Sequence, residues 1–291
     1  MESKLPSMQD KVCLITGATS GIGAVTARVL AQQGATVAIA GRNPGKCAAA
    51  VKQIQSQTGN DKVTALVADL SAQQQVRQLA QQFLERYPRL DVLVNNAGGL
   101  WLSRELTVDG LEMTFAVNHL GYFLLTQLLL DRLRASTPAR IVNVASAAHR
   151  KATIDFEDLR GDRRYAGWAT YCRSKLANLL FTYELARRLE GTGTTANALH
   201  PGWVATGFGS NNGWRGRLLQ RAAGWFAISP EEGAQTVLYL ATSPEVAGQS
   251  GRYFVRQQAV SSSAASYDEQ AGRRLWDWSA QMTRQRSKPP P

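Results

Sequence analysis

Cysteine is scarce in this chain, and the three present, Cys13, Cys47 and Cys172, lie far apart. An odd, dispersed set makes neither a disulfide framework nor a thiolate metal site, and it suits a reducing compartment. Histidine is equally rare. His119, His149 and His200 show no metal-ligand spacing, so no metal is expected. Long apolar runs are missing too: no uninterrupted stretch approaches the roughly 18–20 residues that cross a bilayer. The opening MESKLPSMQDKVCLITG lacks the basic and apolar blocks of a secretory signal, and a cytoplasmic location is the expectation. Neither an internal repeat nor a linker divides the 291 residues, which read as one domain.

Acid is the scarcer charge, with 22 Asp and Glu against 33 Lys and Arg, a net +11. The cations are scattered, in small groups such as Arg163–Arg164 and Arg187–Arg188, and no nucleic-acid recognition motif accompanies them. No nucleic-acid partner is therefore expected. A solvated basic face and attraction for an anionic cofactor account for the excess. The 44% hydrophobic content is enough to bury a sizeable core.

What is present is an alternation. Residues 12–15, 36–40, 63–68, 92–95, 141–145 and 195–199 read as short buried strands rich in Val, Ile, Leu, Thr and Ala. Helical periodicity fills segments between them, as in 24–33, 72–87 and 111–133. Strand–helix alternation predicts an α/β Rossmann fold, a doubly wound parallel sheet with helices on both faces. Ser71 and Gln74 suggest a capping box, and Ser229, Pro230 and Glu232 an N-cap, N1 and N3. Ser261–Ser266 reads as a loop and 284–291 as a frayed basic tail.

The first strand runs into Thr16-Gly17-Ala18-Thr19-Ser20-Gly21-Ile22-Gly23. Glycine is needed where backbone turns tightly or approaches a pyrophosphate, and the following helix N-terminus offers N–H groups and partial positive charge. The strand–turn–helix context favours a dinucleotide site over a bare turn. Arg42 follows the second strand where an NAD site would carry an acid. It can pair with a 2′-phosphate, so NADP(H) is preferred over NAD(H). Asp69, with Leu70 beside it, ends the third strand, suited to the adenine or to forming a turn. Asn95-Asn96-Ala97-Gly98 ends the fourth, with both backbone support and cofactor contact expected.

Tyr171 and Lys175 stand four apart, on one helical face. A tyrosine near its ordinary pKa of about 10 is a poor base, and an adjacent ammonium lowers that value. By itself Tyr-x-x-x-Lys is common; the upstream glycine turn, the Asn-Asn-Ala-Gly and Ser146 at a strand end raise it. Ser146 could donate to a substrate oxygen or cap a turn. Asn118, inside an apolar run, could hold a water or bond its neighbours.

Together these residues resemble the short-chain dehydrogenase/reductase family over nearly the whole chain. The motifs are Thr16–Gly23, Asp69, Asn95–Gly98, Asn118, Ser146, Tyr171, Lys175 and Pro201-Gly202. The resemblance implies an Asn118–Ser146–Tyr171–Lys175 tetrad and hydride transfer at a nicotinamide ring. It also implies cofactor contacts from Gly17, Thr19, Ser20, Gly21, Ile22, Gly23, Arg42, Asp69, Leu70, Asn96, Ala97, Gly98, Tyr171, Lys175, Pro201, Gly202, Val204 and Thr206. Val117–Thr126 and Tyr171–Leu189 look like the retinol dehydrogenase and WW-domain oxidoreductase branch. Against that branch, neither an N-terminal anchor nor a WW domain is expected, and Ala145 replaces a frequent second serine.

The family places its variable substrate lid over 213–227, where Trp214, Leu218, Leu219, Trp225 and Phe226 alternate with Arg215, Arg217 and Arg221. An apolar pocket drawing on Leu100, Trp101, Trp203, Phe208 and Trp214 is expected. A basic amphipathic helix here could instead rest on an anionic membrane surface. The expected organisation is a cofactor half over 8–150, a catalytic helix and lid over 151–260, and an extension over 261–291. The expected activity is NADP(H)-dependent transfer of hydride to or from a lipophilic carbonyl or alcohol, such as a retinal-like aldehyde, a ketone or a steroid. The alternative is a non-catalytic NADP(H)-binding scaffold of the same fold. The family's habits add a homodimer or homotetramer.

Overall fold

The computed structural model describes residues 6–159, 161–163, 165–203 and 228–284. The expectations for Val204, Thr206, Phe208, Trp214, the 213–227 segment and the 285–291 tail lie outside them. Seven strands run parallel in the order β3-β2-β1-β4-β5-β6-β7, and β8 closes the edge antiparallel to β7. They are β1 Val12–Thr16, β2 Thr36–Gly41, β3 Val63–Val67, β4 Val92–Asn95, β5 Arg140–Val144, β6 Thr195–His200, β7 Tyr253–Val255 and β8 Gln258–Val260. This is the doubly wound α/β domain the alternation predicts, and the six strands read from sequence are all present.

The apolar runs work because both sheet faces are covered. In β1 Cys13 and Ile15 enter one core, Val12 and Leu14 the other. The first core packs against α1 Gly21–Gln32, α2 Pro44–Thr58 and α6 Pro230–Thr242. The second packs against α3 Gln73–Arg86, α4 Met113–Ala135 and α5 Gly167–Arg188. Helix α4 spans 23 residues with mean hydropathy 1.3, long and apolar enough to cross a membrane, but 72% of its most apolar window is buried in the protein. It is placed as a core helix.

Ser229 and Glu232 form the expected capping box of α6. Ser71 does not cap α3: the N-cap is Ala72, and Asp109 accepts from Gln73 N at 2.8 Å in its stead. The hairpin β7–β8 was not anticipated. Its two turn residues, Arg256 and Gln257, have φ of 50° and 64°, a left-handed turn without the usual Gly or Asn signal. Beyond it, Ala264–Tyr267 forms a short 3-10 turn where a loop was expected, and α7 Glu269–Met282 lies across α4 and α5.

Candidate active site

Strand order reverses between β1 and β4, so their carboxyl ends open a crevice where such sheets bind ligands. The glycine turn forms one wall. Gly17 has φ +66°, and a Cβ there would lie 2.8 Å from Ala97 Cα. A Cβ on Gly23 would lie 2.6 Å from both Asn96 Nδ2 and Gly17 O. Ser20 occupies the N-cap of α1 without a side-chain capping bond, and the first turn holds no acid. Its leading N–H groups and positive end are thus left for an anion, as a dinucleotide pyrophosphate requires. Thr19 packs on Gly41, whereas Ile22 and Leu70 belong to the core. Arg42 is exposed after β2 and makes no ion pair among the described residues. Asp69 is a turn former, accepting from Ser71 N at 2.9 Å.

The asparagines at the end of β4 divide their work. Asn96 Nδ2 donates to Thr16 O at 2.8 Å, and Thr16 Oγ1 accepts from Asn96 N and Ala97 N, which ties β4 to the glycine turn. Asn95 Nδ2 donates to Thr126 Oγ1 and Asn143 Oδ1, and Asn143 donates to Thr182 Oγ1. A buried amide ladder therefore spans α4, β4, β5 and α5. Asn118 sits in a π-turn, Ala116–Leu120, that widens α4. Its Oδ1 accepts from Gly99 N at 2.8 Å, and its Nδ2 donates to Gly99 O and to Ser174 Oγ. Of the two roles open for Asn118, these bonds show the structural one. Ala97 and Gly98 border the crevice, Gly98 close enough that a Cβ would lie 3.1 Å from Asn118 Oδ1 and 3.6 Å from Lys175 Nζ. On the far side, Pro201 and Gly202 follow β6, with Gly202 at φ +94°.

Tyr171 and Lys175 open α5, both buried, with the ammonium 5.7 Å from the phenol ring centroid. Lys175 Nζ donates to Val144 O at 3.0 Å. Ser146 follows β5, accepts from Ala148 N at 3.2 Å and hydrogen-bonds the Tyr171 phenol. Ser174 accepts from Asn118 and donates to the Tyr171 carbonyl, which ties Asn118 to the helix that carries Tyr171 and Lys175. The electrostatics differ from the expectation. Burial raises Tyr171 to about 12, against a smaller lowering by the Ser146 hydrogen bond, and burial drops Lys175 to about 7. Desolvation outweighs the pairing because both groups are taken out of water.

Leu100 and Trp101 are 8% exposed. The Trp101 ring folds over Gly99, and its carbonyl accepts from Tyr165 OH at 2.6 Å beside Gly167. Trp203 is half exposed after Gly202. Two residues here escaped the sequence reading. Trp168 stacks on Tyr171 at 5.5 Å between centroids while remaining 42% exposed, and its position three before Tyr171 was the available signal. Ser174 carried none. A cleft of about 520 Å³ lies elsewhere, between the end of α5 and the start of β6.

Residues 11–214 match the model of the short chain dehydrogenase family. The chain belongs to the short-chain dehydrogenase family. Human retinol dehydrogenase 13 is 44% identical over 278 residues, covering 94% of this chain and 84% of that protein. Human polyprenol dehydrogenase is 41% identical over 290 residues, covering 97% and 88%. A Shigella flexneri short chain dehydrogenase solved with NADP superposes with a TM-score of 0.69 at 26% identity, over 88% of this chain and 100% of that one. The dehydrogenase is thus an oxidoreductase of the retinol dehydrogenase-like branch, acting on alcohol or carbonyl groups with a nicotinamide cofactor.

Proposed function

We propose that the protein is an NADP(H)-dependent reductase of lipophilic carbonyl compounds, with Ser146, Tyr171 and Lys175 as its catalytic group and Asn118 as the residue that positions it. The observation that carries this is Tyr171: a buried phenol held protonated, bonded to Ser146, at the carboxyl edge of the sheet. A proton donor in carbonyl reduction must be in that form at neutral pH. Ser146 and Tyr171 together hold the carbonyl oxygen, and Tyr171 delivers its proton there as charge develops. Bound NADPH supplies the hydride. Gly17, Gly21, Gly23 and the start of α1 hold its pyrophosphate, Arg42 its 2′-phosphate, and Lys175 the nearby ribose. Asn118 keeps the Gly98–Gly99 backbone in place.

Support for a lipophilic substrate comes from the exposed Trp168 beside Tyr171, from the exposed Trp203, and from relatives named for retinol and polyprenol, both long apolar alcohols. The test is oxidation of NADPH and NADH against retinal, aliphatic aldehydes, steroids and quinones. NADPH is expected to give a kcat/KM at least about tenfold above NADH, through charge-assisted pairing with Arg42. Tyr171→Phe is expected to lower kcat by roughly 10²–10⁴ while sparing NADPH binding. Full activity in Tyr171→Phe, or a preference for NADH, overturns the corresponding part.

A further inference from the structure

Two buried histidines, neither assigned a role above, adjoin two of the four site residues. His119 follows Asn118 in the π-turn, and His149 lies one turn after Ser146. Each bridges the site to the C-terminal segment, and each does so in the same sense. His119 Nδ1 is 3.3 Å from Asn178 Oδ1, which can only accept, so Nδ1 carries the proton. Nε2 then accepts from Ser279 Oγ of α7 at 2.9 Å. Asn178 passes the connection inward: its Nδ2 donates to Val144 O, the carbonyl that also accepts from Lys175 Nζ. His149 repeats the pattern. Its Nε2 accepts from Ser263 N at 3.1 Å, and its Nδ1 donates to Ser146 O at 2.6 Å.

The same segment is bound at further points. Ser262 Oγ meets Tyr183 OH on α5 at 2.7 Å, and Arg150 reaches the carbonyls of Ser261 and Ser262. Residues 261–284 thus grip the three pieces of backbone that present Asn118, Ser146 and Tyr171–Lys175.

We infer that His119 and His149 are positioning residues, through which the C-terminal segment fixes Ser146 and the Lys175–Val144 contact in their working geometry. This rests on the four-residue site proposed above, but not on its preference for NADP(H). Small errors in such placement reduce turnover steeply while leaving ground-state binding intact.

The side chains allow the inner and outer bonds to be cut separately. Asn at either position retains a donor near the Nδ1 site and loses the outer bond to Ser279 or Ser263; Gln retains an acceptor near the Nε2 site and loses the inner bond. The variants His119→Asn, His119→Gln, His149→Asn and His149→Gln are compared with the parent, using NADPH and the panel carbonyl the parent reduces fastest. Each is expected to lower kcat on the order of tenfold, with KM for NADPH and for the carbonyl within about twofold. Ser279→Ala removes a single hydroxyl and serves where a histidine variant does not fold; the same kcat loss is expected. Unchanged kcat across the set overturns the inference. So does a loss that merely follows melting temperature or NADPH binding, and so does a loss confined to the Gln variants, since the C-terminal segment would then contribute nothing. Tyr171→Phe, prepared alongside, separates the two claims: retained turnover there counts against the site itself.

Discussion

Acid should unfold this protein earlier than its carboxylates alone would require, and His119 makes the effect calculable. The ring is fully buried, and burial holds its pKa at about 4, against an ordinary value of 6.5. Its neutral form is preferred in the folded state, so its contribution to stability is complete above pH 6.5 and is lost as pH falls toward 4. The difference of about 2.5 units corresponds to roughly 3.4 kcal/mol at the acid limit, at about 1.36 kcal/mol per unit. Between pH 7 and pH 5 the expected loss from this one residue is about 2 kcal/mol. Burial also lowers His149 and His200, so the unaltered protein will be steeper than this figure. The assay is urea unfolding from pH 4.5 to 8 in the parent and in His119→Asn, which leaves the other two histidines in place. The difference in unfolding free energy between the two proteins should shrink by about 2 kcal/mol from pH 7 to pH 5. A difference independent of pH across that window would refute the argument.

Three further outcomes follow from the geometry. Gly17→Ala places a methyl 2.8 Å from Ala97 Cα at φ +66°; NADPH binding, read by nucleotide fluorescence, should weaken at least about tenfold. Trp276→Ala removes contacts to Phe123 at 5.1 Å and Phe181 at 5.9 Å, and a cation–π contact with Arg188 at 4.1 Å. It should cost about 2–4 kcal/mol, lowering Tm by roughly 3–7 °C in a thermal melt. Trp168→Ala should raise KM for a long apolar aldehyde several-fold more than for a short one, since the ring is exposed beside Tyr171; equal effects on both would count against Trp168 lining the substrate path.

The parallel core was legible because its strands are buried on both faces and therefore read as continuous apolar runs. The hairpin β7–β8 was not. Three-residue strands carry little periodicity, and Arg256 and Gln257 adopt left-handed conformations that their side chains do not advertise. The cap on α3 shows a competing partner: Ser71 has the right spacing, but Asp109, 36 positions away, claims the first free N–H of the helix. Helix α7 escaped notice for a similar reason. Half of its residues are polar, and the stretch resembles a tail until Leu275, Trp276 and Trp278 are seen facing α4 and α5.

At the site, residue types at fixed spacing located the chemistry but misjudged its electrostatics. Spacing of four correctly put Tyr171 and Lys175 on one face, and from there an ammonium lowering a phenol's pKa was a sound local deduction. The burial that reverses it is supplied by residues remote in sequence: Tyr122 from α4, whose ring lies 5.9 Å from Lys175 Nζ, the Gly98 backbone, and the Val144 carbonyl. Desolvation adds over all such neighbours, whereas a pairing counts only one. The consequence is chemical. A phenol kept protonated and an amine held near neutrality present a ready proton to a carbonyl oxygen. The reverse reaction, alcohol oxidation, first needs that proton removed. Raising pH toward the Tyr171 value of about 12 should therefore favour oxidation and disfavour reduction, through the same group in opposite senses.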